Sequence, residues 1–540
     1  MKIIHKISIA FLTLAFMAGC SKKIESAYLN PNSPTRVPPE TLLAPMEYNM
    51  ALNIQSDSRL AIGPYSQFWF NRLTGNDFDR MGYTPASDAG ANIWRMHYWL
   101  IGQNCNQMIT WATEDKKWDY VGVGKAIQAW SWLTLTDVHG EVILKEAFNS
   151  SLQTFHYDTQ PEVYAYVRQL ANEALLNLNK TGDNVSPANL AIGDLYMNGG
   201  SVDKWKKFAY GVLARSYNNL SNKTEYKPDS AFYFANLAMQ TTADDATVKF
   251  AFNGQNDAAN FFGPYRGNIA AMRQSRYIVD LELGNNPGLP GADDPRKWYY
   301  LQLDSSNTTF RGVDPAAGEA IYTIPQRPRN FWGSSSSASN QIPASDSKAK
   351  YIFRNNSEFP IMTATEMHFI KSEAAFRMAK KDIALTEYVA GINESFNMLQ
   401  TRFNQNIPAG KELTAASKTA YLTNPSVVPV NSGNLNLTKI LLEKYIALWG
   451  FGASETWVDL RRFNYLDLDG STGQQVYAGF TPPSVNGTPS TSLYPDNGGK
   501  LVYRIRPRYN SEYVWNLEEL KRIGATNLDY QTVKPWFVQP

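Results

Sequence analysis

The sequence predicts a mainly α protein whose helices run in pairs, with long irregular insertions and a few short strands. Three observations carry this expectation. Apolar residues recur at i, i+3, i+4 spacing in segment after segment. Several such segments follow one another across short turns, which suggests stacked antiparallel hairpins of the tetratricopeptide kind, although no clean repeat of about 34 residues is present. Between them, over roughly 241–360 and 466–498, Gly, Pro, Asn and Ser become frequent and the periodicity stops.

The expected elements follow in order. Residues 41–55 form the first helix. Ile93–Trp111 is the second, with Ile93, Met96, His97, Leu100, Ile101 and Asn104 on one face. Val121–Leu135 carries Trp130 and Trp132. Gln160–Leu178 opens on Pro161, which suits a first helical turn, and repeats Val163, Tyr166, Val167, Leu170, Ala174, Leu175 and Leu178. Asp203 is the expected N-cap of a helix running to Leu220. Asp229–Met239 is short. In the irregular middle only strand-like pieces such as Ile321–Ile324 stand out. Helices resume at Thr363–Met378, Ala384–Gln400, Leu437–Leu448 and Ser454–Phe463. Val502–Arg506 alternates like a strand, and Glu512–Arg522 has helical spacing.

Composition narrows the function classes. The chain has 540 residues, 43% hydrophobic and 19% charged, which excludes a disordered protein. Lys and Arg number 51 against 49 Asp and Glu, so no basic excess exists to neutralise a phosphate backbone, and nucleic acid is not an expected partner. Two cysteines make neither a disulfide framework nor a cysteine-rich metal site. Aromatics are high, at 13%.

The first residues set the compartment. Lys2 and Lys6 precede an apolar run from Ile7 to Met17, too short to span a bilayer. Ala18 and Gly19 then lead to Cys20, the pattern of a lipoprotein signal, with Met17 where Leu is usual. The expected layout is therefore a signal peptide at 1–19, a lipidated Cys20 with a proline-marked tether over 20–40, and one domain over 41–540. Removal of Lys2 and Lys6 leaves the mature chain formally neutral.

Catalytic and metal motifs are sparse. His97, His139, His156 and His368 show no metal-ligand spacing, and His97 lies on an apolar helix face. Asp137, His139 and Glu141 read as a turn after a helix. Gly122-Val123-Gly124 and Gly450-Phe451-Gly452 lack the rest of a dinucleotide fingerprint. Asp467 and Asp469 before Gly470 lack the acidic residue that would close a calcium loop. Nothing in the sequence selects a carboxylate pair for glycoside hydrolysis.

Several segments, in order, resemble the SusD/RagB family of nutrient-binding lipoproteins. They are Asn30-Pro31-Asn32, then Pro34, Thr35, Leu42 and Leu43; Trp94, Tyr98, Ile101 and Asn104; Asp137-Val138-His139-Gly140-Glu141-Val142 with Glu146-Ala147; Tyr157 to Gln160; Lys204-Trp205-Lys206-Lys207-Phe208-Ala209 with Leu213-Ala214-Arg215; Asp294-Pro295-Arg296; Glu366 and Glu373-Ala374-Ala375; and Glu443 to Leu448 with Trp457, Asp459, Arg461 and Arg462. Glu141 replaces an Asp, and Ile143 a Pro, in the family's turn. The resemblance implies a SusD-like fold with about four tetratricopeptide-like helix pairs. It implies a surface lipoprotein of the outer membrane in a Bacteroidota-type bacterium. That protein captures a nutrient, most often a glycan, and closes as a lid over a SusC-like TonB-dependent transporter, without catalysis or a cofactor. Peptide capture, a protein-interaction scaffold and an enzyme are the alternative classes. Lys22 and Lys23 form no acidic export cluster, so surface display follows from the resemblance alone.

A sugar offers an apolar face to aromatic rings and hydroxyl edges to Asn, Asp and Arg. Three loop segments have that mixture. The first holds Trp69, Asn71, Arg72, Asn76, Asp77 and Tyr83, ahead of Trp94, where the resemblance places part of the ligand site. The second holds Phe261, Tyr265 and Arg266. The third holds Phe331 and Trp332. Trp69, Tyr265 and Trp332 are the expected platforms. Arg215, Arg461, Arg462, Trp205, Phe208 and Leu213 are expected to be scaffold.

Overall fold

The computed structural model of the chain describes residues 36–255, 258–334, 342–343 and 345–540. The expected signal segment, Cys20 and most of the tether lie outside the described residues. In chain order the main helices begin with α1 (Glu40–Asp57), α2 (Gly102–Glu114), α3 (Trp118–His139) and α4 (Gln160–Leu178). Next come α5 (Pro187–Gly193), α6 (Val202–Asn218), α7 (Pro228–Leu237) and α8 (Arg276–Glu282). The last are α9 (Ala364–Arg377), α10 (Lys381–Arg402), α11 (Ala415–Leu422), α12 (Leu437–Leu448), α13 (Ala453–Arg462) and α14 (Leu517–Arg522). Among the described residues no helix is long and apolar enough to cross a membrane.

Successive helices pack together among the described residues as α1 with α2, α2 with α3, α3 with α4, α6 with α7, α9 with α10, and α12 with α13. Helix α4 lies between α3 and α6, α7 packs on α9, and α12 also packs on α9, so the pairs form one continuous stack. The fold is thus mainly α, as the periodicity predicts. Local chemistry explains the boundaries. Thr159 and Glu162 form a capping box at the start of α4. The cap of α6 is Ser201, not Asp203: the Ser201 hydroxyl accepts from the Lys204 N–H at 3.3 Å, while Asp203 sits in the first turn, where its charge still suits the helix dipole. Gly122 of α3 is a packing residue, since a Cβ there would lie 2.5 Å from Leu178 of α4.

The strands differ from expectation. Strand β1 (Trp69–Asn71) pairs antiparallel with β3 (Met272–Gln274), and β2 (Ala246–Val248) with β4 (Phe359–Met362). Ile321–Ile324 forms no strand. Val502–Arg506 is extended without a ladder; the Tyr503 and Arg504 N–H groups donate to the Gln531 carbonyl, and that of Ile505 to Val138. Glu512–Arg522 divides into a π-turn (Tyr509–Tyr513) and α14.

The charged residues of the helix motifs turn inward. Arg215 of α6 holds Glu366 of α9 at 2.6 Å and Glu455 of α13 at 3.0 Å. Arg462 of α13 holds Glu373 of α9 through two contacts, at 2.8 and 2.9 Å, and Asp459 at 2.5 Å. All six side chains are largely or wholly buried. Arg461 donates to the carbonyls of Asp137 (2.6 Å) and Tyr503 (2.9 Å) and stacks on Trp457. Asp137 and His139 lie in the last turn of α3 and not in a turn after it, Glu141 follows its Gly140 cap, and all three are structural. Asp137 accepts from Tyr164 and Asn219, His139 faces the Ile505 carbonyl, and Glu141 pairs with Arg504. His97 is buried against Ser131 and Trp132, and burial pushes its pKa down to about 3. Removing one partner of a buried pair leaves an uncompensated charge. Arg462→Ala should therefore lower unfolding free energy by ~3–5 kcal/mol. Arg276→Ala, at the exposed pair with Asp314, should cost under about 1 kcal/mol in the same urea titration.

Candidate ligand-binding cleft

Most of the predicted loop aromatics are interior. Trp69 is wholly buried, its ring within 5.6–6.5 Å of Phe262, Phe331, Phe353 and Trp449. Its indole N–H donates to the Ser58 carbonyl at 3.2 Å. Phe331 stacks on Phe353 at 4.2 Å, and the Trp332 indole donates to the Phe262 carbonyl at 2.8 Å. Trp69, Phe331 and Trp332 are therefore core residues: the first and last are not platforms, and Phe331 offers no ring to a ligand. The cause is physical: the small β1–β3 sheet and the long insertions must bury apolar surface of their own, and they do so in a cluster beneath the loops.

The polar residues of these segments hold turns and loops. The side-chain carbonyls of Asn71 and Asn76 accept N–H groups of Leu73 and Phe78. Arg72 faces Glu319 at 4.0 Å. The Asp77 carbonyl accepts from Arg80 and Gly82. Arg266 donates to the Tyr48 hydroxyl at 2.6 Å and lies over the buried Phe261 ring. Tyr265 is about half exposed, tied to the Gly254 carbonyl and packed on Phe252. The structure does not bring the three segments together as one surface site. Tyr83 and Trp94, by contrast, border surface cavities.

The larger of these is a cleft of about 390 Å³. Its first wall is built at the end of α1. Asp57 accepts the N–H groups of Asn92 (3.0 Å) and Ile93 (2.7 Å), which starts a short helix, Asn92–Arg95. Burial pushes the Asp57 carboxyl up to about 6, even though these donors favour its charged form. A π-turn follows at Met96–Ile101, with the Gly102 N–H donating to the His97 carbonyl, before α2 begins. The turn keeps Met96, His97 and Ile101 buried and leaves Trp99 63% exposed at the mouth. The Arg95 guanidinium lies over one face of that indole at 5.1 Å. Trp94, Tyr98, Ile143, Phe148 and Phe155 make the apolar lining. Tyr98 is fixed by its hydrogen bond to the Ile143 carbonyl at 2.8 Å, and Trp94 stacks on Tyr157.

The opposite wall is Arg508 to Glu512, around the Tyr509–Tyr513 π-turn. Glu512 accepts from the Tyr157 hydroxyl (2.9 Å) and the Asn516 amide (3.1 Å), and burial raises its pKa. Gln103, Arg508 and Ser511 complete a polar rim. Beside the cleft lies a second cavity of about 160 Å³, bordered by Tyr83, Arg506, Tyr509 and Tyr513. Arg506 sits over the Tyr83 ring at 4.2 Å, and burial pushes the Tyr83 hydroxyl up to about 12. Asp88 bridges this region, taking Arg508 at 2.5 Å and both the backbone and side-chain amides of Asn510. Burial opposes ionisation of Asp88, yet these donors hold its carboxyl below the usual range.

A flat indole, further rings and a rim of amide, guanidinium and hydroxyl groups can bind a ligand with an apolar face and polar edges. Sequence reasoning missed Trp99, Arg508, Tyr509 and Tyr513. Trp99 carried a usable signal, since it falls off the Ile93, Met96, Leu100 stripe of its helix.

By architecture the chain is a tetratricopeptide-type helical stack whose cavities are bordered by inserted loops. It belongs to the SusD-like family: the family described as starch-binding and associating with the outer membrane matches residues 31–484. Solved structures share the fold at low identity. A SusD/RagB family protein from Bacteroides thetaiotaomicron is 21% identical, with a TM-score of 0.67 over 93% of this chain and 99% of its own. A chitin-binding SusD homologue from Flavobacterium johnsoniae is 18% identical, with a TM-score of 0.68 over 93% and 98%. No curated protein matches the chain.

Burial separates the two kinds of tryptophan in a measurable way. Trp69→Ala and Trp332→Ala should each destabilise by ~3–5 kcal/mol in chemical denaturation. Trp99→Ala should change stability by no more than about 0.5 kcal/mol.

Proposed function

We propose that the protein is a non-catalytic lipoprotein of the outer membrane that captures a carbohydrate in the Trp94–Trp99 cleft. It passes that ligand to a SusC-like TonB-dependent transporter, over which it closes as a lid. The observation that carries the reading is the exposed Trp99 indole at the mouth of an aromatic cleft with a polar rim. A pyranose ring lays its C–H face on the indole, and Gln103, Arg508 and Ser511 meet its hydroxyls. Family membership and the chitin-binding relative support carbohydrate as the ligand class. The Ala18-Gly19-Cys20 signal supports the anchor, and the long neutral insertions suit a protein that closes over cargo.

A panel of starch, chitin and other glycans, with peptides alongside, tests the ligand class on the mature chain. Binding to at least one glycan, weakened by ~0.5–1.5 kcal/mol in Trp99→Ala, is expected in calorimetry. Peptide binding without glycan binding would refute it. A large barrel protein should co-purify from detergent-solubilised membranes, and its absence would remove the transporter claim.

A further inference from the structure

A third cavity, of about 400 Å³, shares Phe155 with the cleft. Phe155 lines both spaces. Its backbone is gripped twice by one side chain: the Phe155 N–H donates to the Asn516 Oδ1 at 3.1 Å, and the Asn516 Nδ2 donates to the Phe155 carbonyl at 2.9 Å. The same amide reaches Glu512 of the cleft wall at 3.1 Å. The two spaces therefore share one residue whose backbone is held in place.

This cavity repeats the chemistry of the first. Trp515 is 72% exposed at its edge, more than Trp99. The indole stands open to solvent at the edge of the cavity, where a ligand can reach its face. The surroundings are polar and not a plain apolar patch. His156 is exposed and faces Glu519 at 3.3 Å, and Arg522 is held by the same carboxylate at 2.5 Å. The Tyr157 N–H donates to Glu519 at 2.7 Å, which completes the anchoring of that rim. A platform ring beside an imidazole and a guanidinium matches the face and edge of a sugar.

We propose that this cavity is a second sugar subsite with Trp515 as its platform, so that the ligand is an oligosaccharide long enough to cross Phe155 from Trp99 to Trp515. The inference rests on the carbohydrate reading of the first cleft. Two neighbouring platforms on one chain make binding length-dependent, because the second contact adds to a ligand already held.

The test uses malto-oligosaccharides and chito-oligosaccharides, from the disaccharide to the heptasaccharide, titrated into the mature chain by calorimetry. In the wild type, affinity for one series should rise with length. Trp515→Ala should lower affinity for the long members about tenfold, the scale of one aromatic contact, and leave the disaccharide within about twofold. Trp99→Ala should weaken short and long members alike. An unchanged melting temperature for Trp515→Ala shows that the exposed ring was not holding the fold. If Trp515→Ala matches the wild type at every length while Trp99→Ala loses binding, the second subsite is refuted and the first cleft stands. If the wild type binds neither series at any length, both readings fail for these glycans.

Discussion

The buried guanidinium–carboxylate contacts between non-adjacent helices are the constraint on which the rest of the molecule depends. Arg215 joins α6 to α9 and α13, and Arg462 joins α13 back to α9. Charges taken out of water require nearly complete compensation, and paired N–H···O contacts provide it only at one relative position of the helices. Arg461 extends this control to the side that carries the cleft. By holding the Asp137 and Tyr503 carbonyls, it ties the end of α3 to the segment that leads into Arg508 and the Tyr509–Tyr513 π-turn. One wall of the cleft is thereby referenced to the centre of the helical stack.

The aromatic residues fall into two populations with different work. The larger one, centred on Trp69, Phe331, Phe353 and Trp449, is a core beneath long insertions that helices alone do not cover. The smaller one, Trp99 and Trp515, stands in solvent next to cavities. Loops anchored so firmly can carry sites with little ordering cost on binding. Asp57 shows the same economy at a single residue, since it ends α1 and organises the turn that presents Trp94 and Trp99.

Much of the helical scaffold was legible because it rests on local period and capping. Gln160–Leu178 was correct to the residue, as Pro161, the Thr159–Glu162 box and the apolar repeat agree. The family, too, was legible from ordered motifs that turn out to be internal struts. The site was far less so. Whether Trp69 faces in or out is decided by Trp449 and Phe353, far along the chain, and no local pattern encodes that choice. The strands escaped for the same reason, because β1 finds its partner in β3, some two hundred residues on. The π-turns lie below the resolution of a 3.6-residue template.

The turn at Met96–Ile101 has a consequence for the history of the cleft. A π-turn is an α-helix with one residue added, and each residue advances a helix by about 100°. Before the turn Ile93 and Trp94 are buried; within it Met96, His97 and Ile101; after it Gly102, Cys105, Met108 and Ala112. Loss of a single residue there would restore a regular helix but put the two halves out of phase, so that one buried stripe would face water. The inserted residue is in that sense locked in. Changing the ring at position 99 costs the fold little, whereas removing the protrusion that displays it costs a buried stripe.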